Sequence, residues 1–352
     1  MVRRQNSGWM RRAVIASSCL LVVGASPAQA DIINVPDDYP TIQEAIDASG
    51  DGDEIVIAQG EYFENIDLDG KAITVRSTDP TDAAVIANTI INGGGVATVV
   101  TCNSSEGPNT VLNGLVITNG NGGFEGGGLY CHAGPTVMNC TFSENTAERG
   151  GAIDCTGYLI LQNCVFSENT ADLGGAICSR YYPFVTNCTF INNTAEYGGG
   201  VFVMSDSIEM TGCTFIGNVA TPAEPYAAGS AIHSVGGIFR LHYCTFIGNS
   251  STHVGGGLYI MGLTGTVANC RIVGNRPVGL YTEYCAPTLS HCTICGNEEA
   301  EIHGNYGDAG HNIIGPHPPP PPEPACPADI DGDGDVDTAD LLALLGSWGM
   351  CP

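Results

Sequence analysis

Three observations predict that this 352-residue chain is an all-β protein, a right-handed parallel β-helix solenoid. First, one unit is spelled out repeatedly: GGGLYC…NCTFSENTA from Gly126, GGAIDC…NCVFSENTA from Gly150, and GGAICS…NCTFINNTA from Gly174. Second, the cysteines that follow, Cys140, Cys164 and Cys188, recur at one constant spacing, and the frame continues through Cys213, Cys244, Cys270 and Cys292. Third, each of these seven cysteines is followed five positions later by an asparagine: Asn145, Asn169, Asn193, Asn218, Asn249, Asn275 and Asn297. A period in the low twenties, rich in Gly and Asn and with short β-type runs, suits one coil of a solenoid, whereas helical repeats are usually longer.

Within a unit such as LILQNCVFSEN the residues alternate, so Cys164 and Phe166 fall on one face and Val165 on the other. Strands of three to five residues follow from the run lengths. Stacked coils bring equivalent side chains to about 4.8 Å, the spacing of hydrogen-bonded strands. The seven cysteines then form one internal ladder, and Phe142, Phe166, Phe190, Phe215 and Phe246 form a second. Gly and Asn accept the positive φ that the bends between strands require.

From the N-terminus, residues 1–30 read as a secretory signal peptide: Arg3, Arg4, Arg11 and Arg12 precede an apolar run from Ala13 to Ala25 and the small-residue site Ala28-Gln29-Ala30. The run is too short for a membrane span, so no span is expected in the mature chain, which is secreted or held at the cell surface. Cleavage removes four of 11 basic residues and none of 37 acidic ones, leaving 7 against 37 and a net charge near −30. Such a chain repels nucleic acid, and anionic polymers too unless cations intervene. Fifteen cysteines remain of the 16, in a compartment that permits disulfides. Thr41 and Glu44 read as a capping box ahead of the stripe Ile42, Ala45 and Ile46, with Gly50 as the stop, which predicts one short amphipathic helix covering the open end of the solenoid. The coils then occupy the rest of 31–315.

Two outward features carry the chemistry of the coils. Glu148, Asp172 and Glu196 share one register position, with Glu144 and Glu168 at another nearby. On adjacent coils such carboxylates lie near the ~5 Å of a retaining glycosidase pair, and close like charges raise a pKa or attract calcium. They are the weak catalytic candidates, set against a solvated acidic stripe repeated because the unit is repeated. The interval from Cys213 to Cys244 is longer than the others, which predicts an insertion loop around Tyr226, and insertions in solenoids cluster on one face. Tyr226 and Arg240 there, with Tyr181 and Tyr182 elsewhere, are the candidate sugar-contacting residues.

The opening TIQEAID followed by IVIAQGEYFENIDL, residues 35–76, resembles the start of the pectin-lyase-like β-helix superfamily, which includes pectin methylesterases. The tandem GGAI and FxxN tetrapeptides, across residues 126–297, are similar to the repeats of chlamydial polymorphic outer membrane proteins and of other secreted bacterial β-helices. Both resemblances imply the β-helix. The catalytic motifs of the pectin methylesterase, polygalacturonase, alginate lyase and pectate lyase families are absent, so none of their active residues carries over.

Residues 316–325 form a proline-rich linker, a semi-rigid extended spacer. Residues 326–352 then read as a separate small module. Asp329, Asp331, Asp333, Asp337 and Asp340 occupy positions 1, 3, 5, 9 and 12 of a calcium loop, Asp335 offers its carbonyl at position 7, and Gly334 permits the sharp bend. The tail is similar to one half of a type I dockerin, in which these residues are the calcium ligands and Thr338 and Ala339 tune the choice of cohesin. A full dockerin duplicates the loop and helix, and one copy stands here. The resemblance implies calcium as the bound ion and a cohesin-like domain as partner. The resulting expectation is an exported protein that binds polysaccharide or another cell-surface component. The alternative is a polysaccharide-degrading lyase or hydrolase of the same superfamily.

Six carboxylates in twelve residues repel one another until a cation neutralises them. A peptide of residues 316–352 is therefore expected to gain helix and shift its Trp348 fluorescence on adding calcium, and Asp331→Ala with Asp340→Ala to remove both responses. Titration calorimetry showing no binding up to millimolar calcium would refute the loop.

Overall fold

The computed structural model describes residues 30–104, 106–204, 207–222, 229–262 and 264–315. The expected signal segment before Ala30, the expected proline linker and calcium-binding module from 316 on, and Tyr226 lie outside the described residues. Among the described residues all strand pairings are parallel, and they stack into four faces. The long face has 12 strands, from Ile32–Val35 to Gly307–Asp308. The phenylalanine face has 11, from Gly60–Phe63 to Ile313–Ile314, and the tyrosine face has 10, from Ile66–Asp67 to Ala300–His303. A minor face of five begins with Thr146–Arg149. One coil thus runs through Leu129–Cys131, Thr136–Met138, Thr141–Ser143 and Thr146–Arg149 before Ile153–Cys155 begins the next.

The expected inward ladders are present. Phe142, Phe166, Phe190, Phe215 and Phe246 are fully buried and stacked, with ring centroids 5.3, 4.9, 4.4 and 4.9 Å apart in turn. That is the offset-stacked range, in which aromatic pairs add to the area they bury. The seven cysteines are buried free thiols at the inner corner between the long and phenylalanine faces. Each turns its S–H back to the carbonyl two residues earlier, as Cys140 does to Met138 at 3.2 Å and Cys164 to Gln162 at 3.3 Å. Burial holds the Cys140 and Cys188 thiols well above the usual thiol range, so they pack as small hydrophobes and are poor nucleophiles. A disulfide does join adjacent coils, but outside this ladder, between Cys131 and Cys155 on the tyrosine face.

The asparagines five positions after the cysteines do more than turn the chain. The positive φ falls on the residue before each, as at Glu144 (φ 56) and Glu168 (φ 57), while the asparagine itself points inward and is buried. Asn169 donates its backbone N–H and its side-chain amide to Asn193 Oδ1, at 3.1 and 2.9 Å, and the same amide donates to Phe142 O at 2.9 Å on the preceding coil. The pattern runs unbroken from Asn145 to Asn297. Each side chain thereby satisfies the bend N–H and carbonyl of the preceding coil and donates to the asparagine of the next, which a dry interior demands.

The GGAI repeat has a steric cause. Gly150 takes φ +58, and a Cβ on Gly151 would lie 2.3 Å from Gly175 O of the next coil. The paired glycines let successive turns nest at strand spacing.

The short helix forms at Ile42–Ala48, with Ile42, Ala45 and Ile46 fully buried against the first coil. Thr41 Oγ1 accepts from Glu44 N at 3.2 Å, as expected of the box. The return contact to the helix N-terminus comes instead from Glu64, whose carboxylate accepts from Ile42 N and Gln43 N, both at 3.0 Å. A residue well downstream fills the role because the first coil folds back beneath the helix.

Asn193→Ala would strand the Asn169 N–H and amide and the Phe166 carbonyl in the interior. At about 1–3 kcal/mol for each orphaned group, the variant is expected to lose about 3–5 kcal/mol. Asn163→Ala, at an exposed bend with φ 54, is expected to lose about 1 kcal/mol. Equal shifts of the denaturant midpoint for the two variants would contradict the ladder's role.

Candidate functional site

Since the interior is committed to packing, chemistry is confined to outward positions. On the long face, Ile160, Phe184, Glu209, Arg240 and Thr266 line up on consecutive coils. Tyr182 precedes that strand of its coil, donates its hydroxyl to Glu209 Oε2 at 2.9 Å, and packs on Phe184 with centroids 4.5 Å apart. Tyr181 meets Tyr158 of the previous coil edge-on at 4.9 Å. Tyr158, Tyr181 and Phe184 are 57%, 49% and 42% exposed, far more than packing alone would leave for rings of this size. The result is an open aromatic surface with a carboxylate and a guanidinium at its edge.

Two expected sugar-contacting residues, Tyr182 and Arg240, are therefore brought to one place, with Glu209 between them, and Tyr181 lies beside them. Glu209, Phe184 and Tyr158 were not anticipated. Tyr158 had a readable signal, because it holds the position in its coil that Tyr182 holds in the next.

The acidic row on the minor face is laid out as expected, since Ala147, Ala171 and Ala195 pair in register beside it. Glu148 and Asp172 are exposed and Glu196 is half-buried. Among the described residues no three His, Cys, Asp or Glu side chains converge as a metal site.

The outer side of the tyrosine face carries a column that sequence reasoning missed. Tyr130, Asp154, Cys178, Phe202, His233, Tyr259, Tyr281 and His303 stack there in register. Asp154 is buried and pairs with Arg180 Nη2 at 3.1 Å. Burial raises its pKa, with Arg180 and then Arg149 pulling the other way. Tyr130 hydrogen-bonds His132 Nε2 beside it. His233 lies between Phe202 and Tyr259, at 5.1 and 4.6 Å, and its Nδ1 accepts from Gly229 N at 3.2 Å. A lone carboxylate in a strand of alternating Ile and Cys gave no signal of its own, since its partner Arg180 lies on the next coil.

Residues 71–239 match the family model described as a right handed beta helix region. Together with the all-parallel stacking this defines the class, a right-handed parallel β-solenoid. A search of the curated proteins returned no match. Among the described residues no helix is long and apolar enough to cross a membrane.

Burial pulls the His233 pKa down to about 3. The unfolded chain takes up this proton near 6.5 while the folded chain refuses it, so stability is retained above about pH 6.5 and lost as pH falls toward 3. The full penalty is on the order of 5 kcal/mol. His233→Phe is expected to flatten the fall in denaturant midpoint between pH 6.5 and 4 relative to the unmodified chain. An identical pH slope in both proteins would show that the imidazole is not the group responsible.

Proposed function

We propose that this is an exported β-helix protein that binds polysaccharide or another extracellular surface, with the C-terminal module a calcium-dependent, dockerin-like attachment and the Ile42–Ala48 helix its N-terminal cap. The observation that carries the reading is the open surface of Tyr158, Tyr181 and Phe184 beside Glu209 and Arg240. Flat apolar rings accept the C–H faces of sugar rings, and a carboxylate and guanidinium at the edge accept and donate to hydroxyls. A rigid stack of coils holds these groups at fixed spacing without ordering a loop on binding. The net charge of −26 argues against a nucleic acid.

Against a panel of plant, algal and bacterial polysaccharides, the purified mature chain is expected to bind at least one, by affinity electrophoresis and calorimetry. Tyr181→Ala with Phe184→Ala should weaken that binding at least tenfold with no change in melting temperature, since both rings are exposed. Undiminished affinity in this variant would remove the surface from consideration.

A further inference from the structure

One coil departs from the repeat beside the tyrosine face. Where later coils run through Thr146–Arg149, Thr170–Leu173 and Thr194–Tyr197, this one has Asn121-Gly122-Gly123-Phe124-Glu125, and Asn121 alone keeps a bridge to Thr146. Glu125 N donates to Gly122 O at 3.1 Å, closing a tight turn, and Gly123 takes φ +59. A Cβ on Gly122 would lie 2.1 Å from Glu125 O, so the turn requires glycine. The preceding coil carries a second glycine turn, with Gly94 and Gly95 at φ +64 and +69, leading into Val96. Asn121 to Gly123, Glu125 and Val96 to Thr98 border a cleft of about 570 Å³ that Ile66, Asp67, Thr101 and Gln43 of the short helix also line. Val96 and Phe124, in these two glycine turns, are 76% and 70% exposed.

We propose that this cleft binds a neutral, hydroxyl-rich ligand, a short neutral oligosaccharide. It is an open groove, which would hold one side of a sugar chain and leave the other to solvent. Carboxylates from Asp67 and Glu125, the Thr101 hydroxyl and the Asn121 amide line it, and no Lys, Arg or His does. That lining accepts hydrogen bonds from sugar hydroxyls and repels anions such as uronates. Val96 supplies an apolar edge, and the exposed Phe124 ring stands in the turn between the lining residues Gly123 and Glu125. Two carboxylates could also invite a divalent cation. However, one Asp67 oxygen is taken by Asp69 N at 2.9 Å, and no three acidic or other metal-binding groups converge there among the described residues.

The column begins beside the cleft, because Thr101 pairs with Tyr130, and Tyr130 with Asp154. Arg180, held by Asp154, leads on to Tyr181 and the aromatic surface. The inference thus rests on the glycan reading and gives it a second subsite with its own residues.

The test is calorimetry on the full mature chain with linear neutral hexasaccharides of glucan, mannan and xylan, with hexagalacturonate, and with calcium chloride alone. Phe124→Ala with Glu125→Gln is the cleft variant; both side chains are exposed, and an unchanged melting temperature confirms the fold. The expected result is that a neutral hexasaccharide binds, hexagalacturonate does not, and the cleft variant loses at least tenfold in affinity. An equal loss in Tyr181→Ala with Phe184→Ala supports one continuous track. Loss in that surface variant alone overturns the cleft and leaves the proposed function standing, whereas loss in the cleft variant alone supports the cleft and overturns the surface. No neutral hexasaccharide binding to the unmodified chain overturns the cleft, and if the polysaccharide panel is also negative the broader reading falls with it. Calcium binding removed by Glu125→Gln, without any sugar binding, assigns the cleft to a cation instead.

Discussion

The asparagine ladder is the interaction on which the rest of the structure depends. A bend in a dry interior exposes an N–H and a carbonyl that no strand can reach, and here each is met by the side-chain amide of the next coil's asparagine. No coil is complete alone, so stability becomes a sum over neighbouring interfaces. The ladder also has to end. At one end Gly120 N donates to Asn145 Oδ1 at 2.9 Å. At the other, Asn297 donates through both its N–H and its amide to Glu301 Oε2, an acceptor with no further donor to satisfy. The terminal carboxylate supplies what another coil would have supplied.

With the interior fixed this tightly, variation is tolerated only outward, and the outward faces differ in character. The Tyr158, Tyr181 and Phe184 rings each pack one side on a neighbouring ring and leave the other to solvent. Asp154 is the opposite case, an outward-facing carboxylate nonetheless buried, which requires a partner. Arg180 meets that requirement and is thereby fixed between the tyrosine face and the aromatic surface. One ion pair thus partners the buried carboxylate and holds a cation beside the exposed rings.

Cations are scarce enough for their placement to be informative. Of the seven basic residues beyond residue 30, Arg149 and Arg180 act on Asp154, and Arg240 lines up with Glu209 beside the aromatic surface. The rest of the chain is strongly acidic. Arg180 and Arg240 are thus placed beside the exposed rings within an otherwise acidic chain.

Sequence alone determined what repeats within a coil. Alternation fixed Cys164 and Phe166 inward, the even spacing of Cys140, Cys164 and Cys188 fixed the solenoid, and the glycine pairs marked the nested turns, because each of these follows from local backbone geometry. Tertiary structure decided what one coil does to the next. The ladder asparagines looked like bend formers until stacking showed that their partners lie a coil away. Glu64, not Glu44, meets the helix N-terminus for the same reason. The Tyr182, Glu209 and Arg240 cluster and the Asp154–Arg180 pair each join side chains from different coils. Such neighbours depend on the length of every intervening turn. Coils that are evenly spaced from Cys140 to Cys188 but stretched between Cys213 and Cys244 leave no single period from which those contacts could be read.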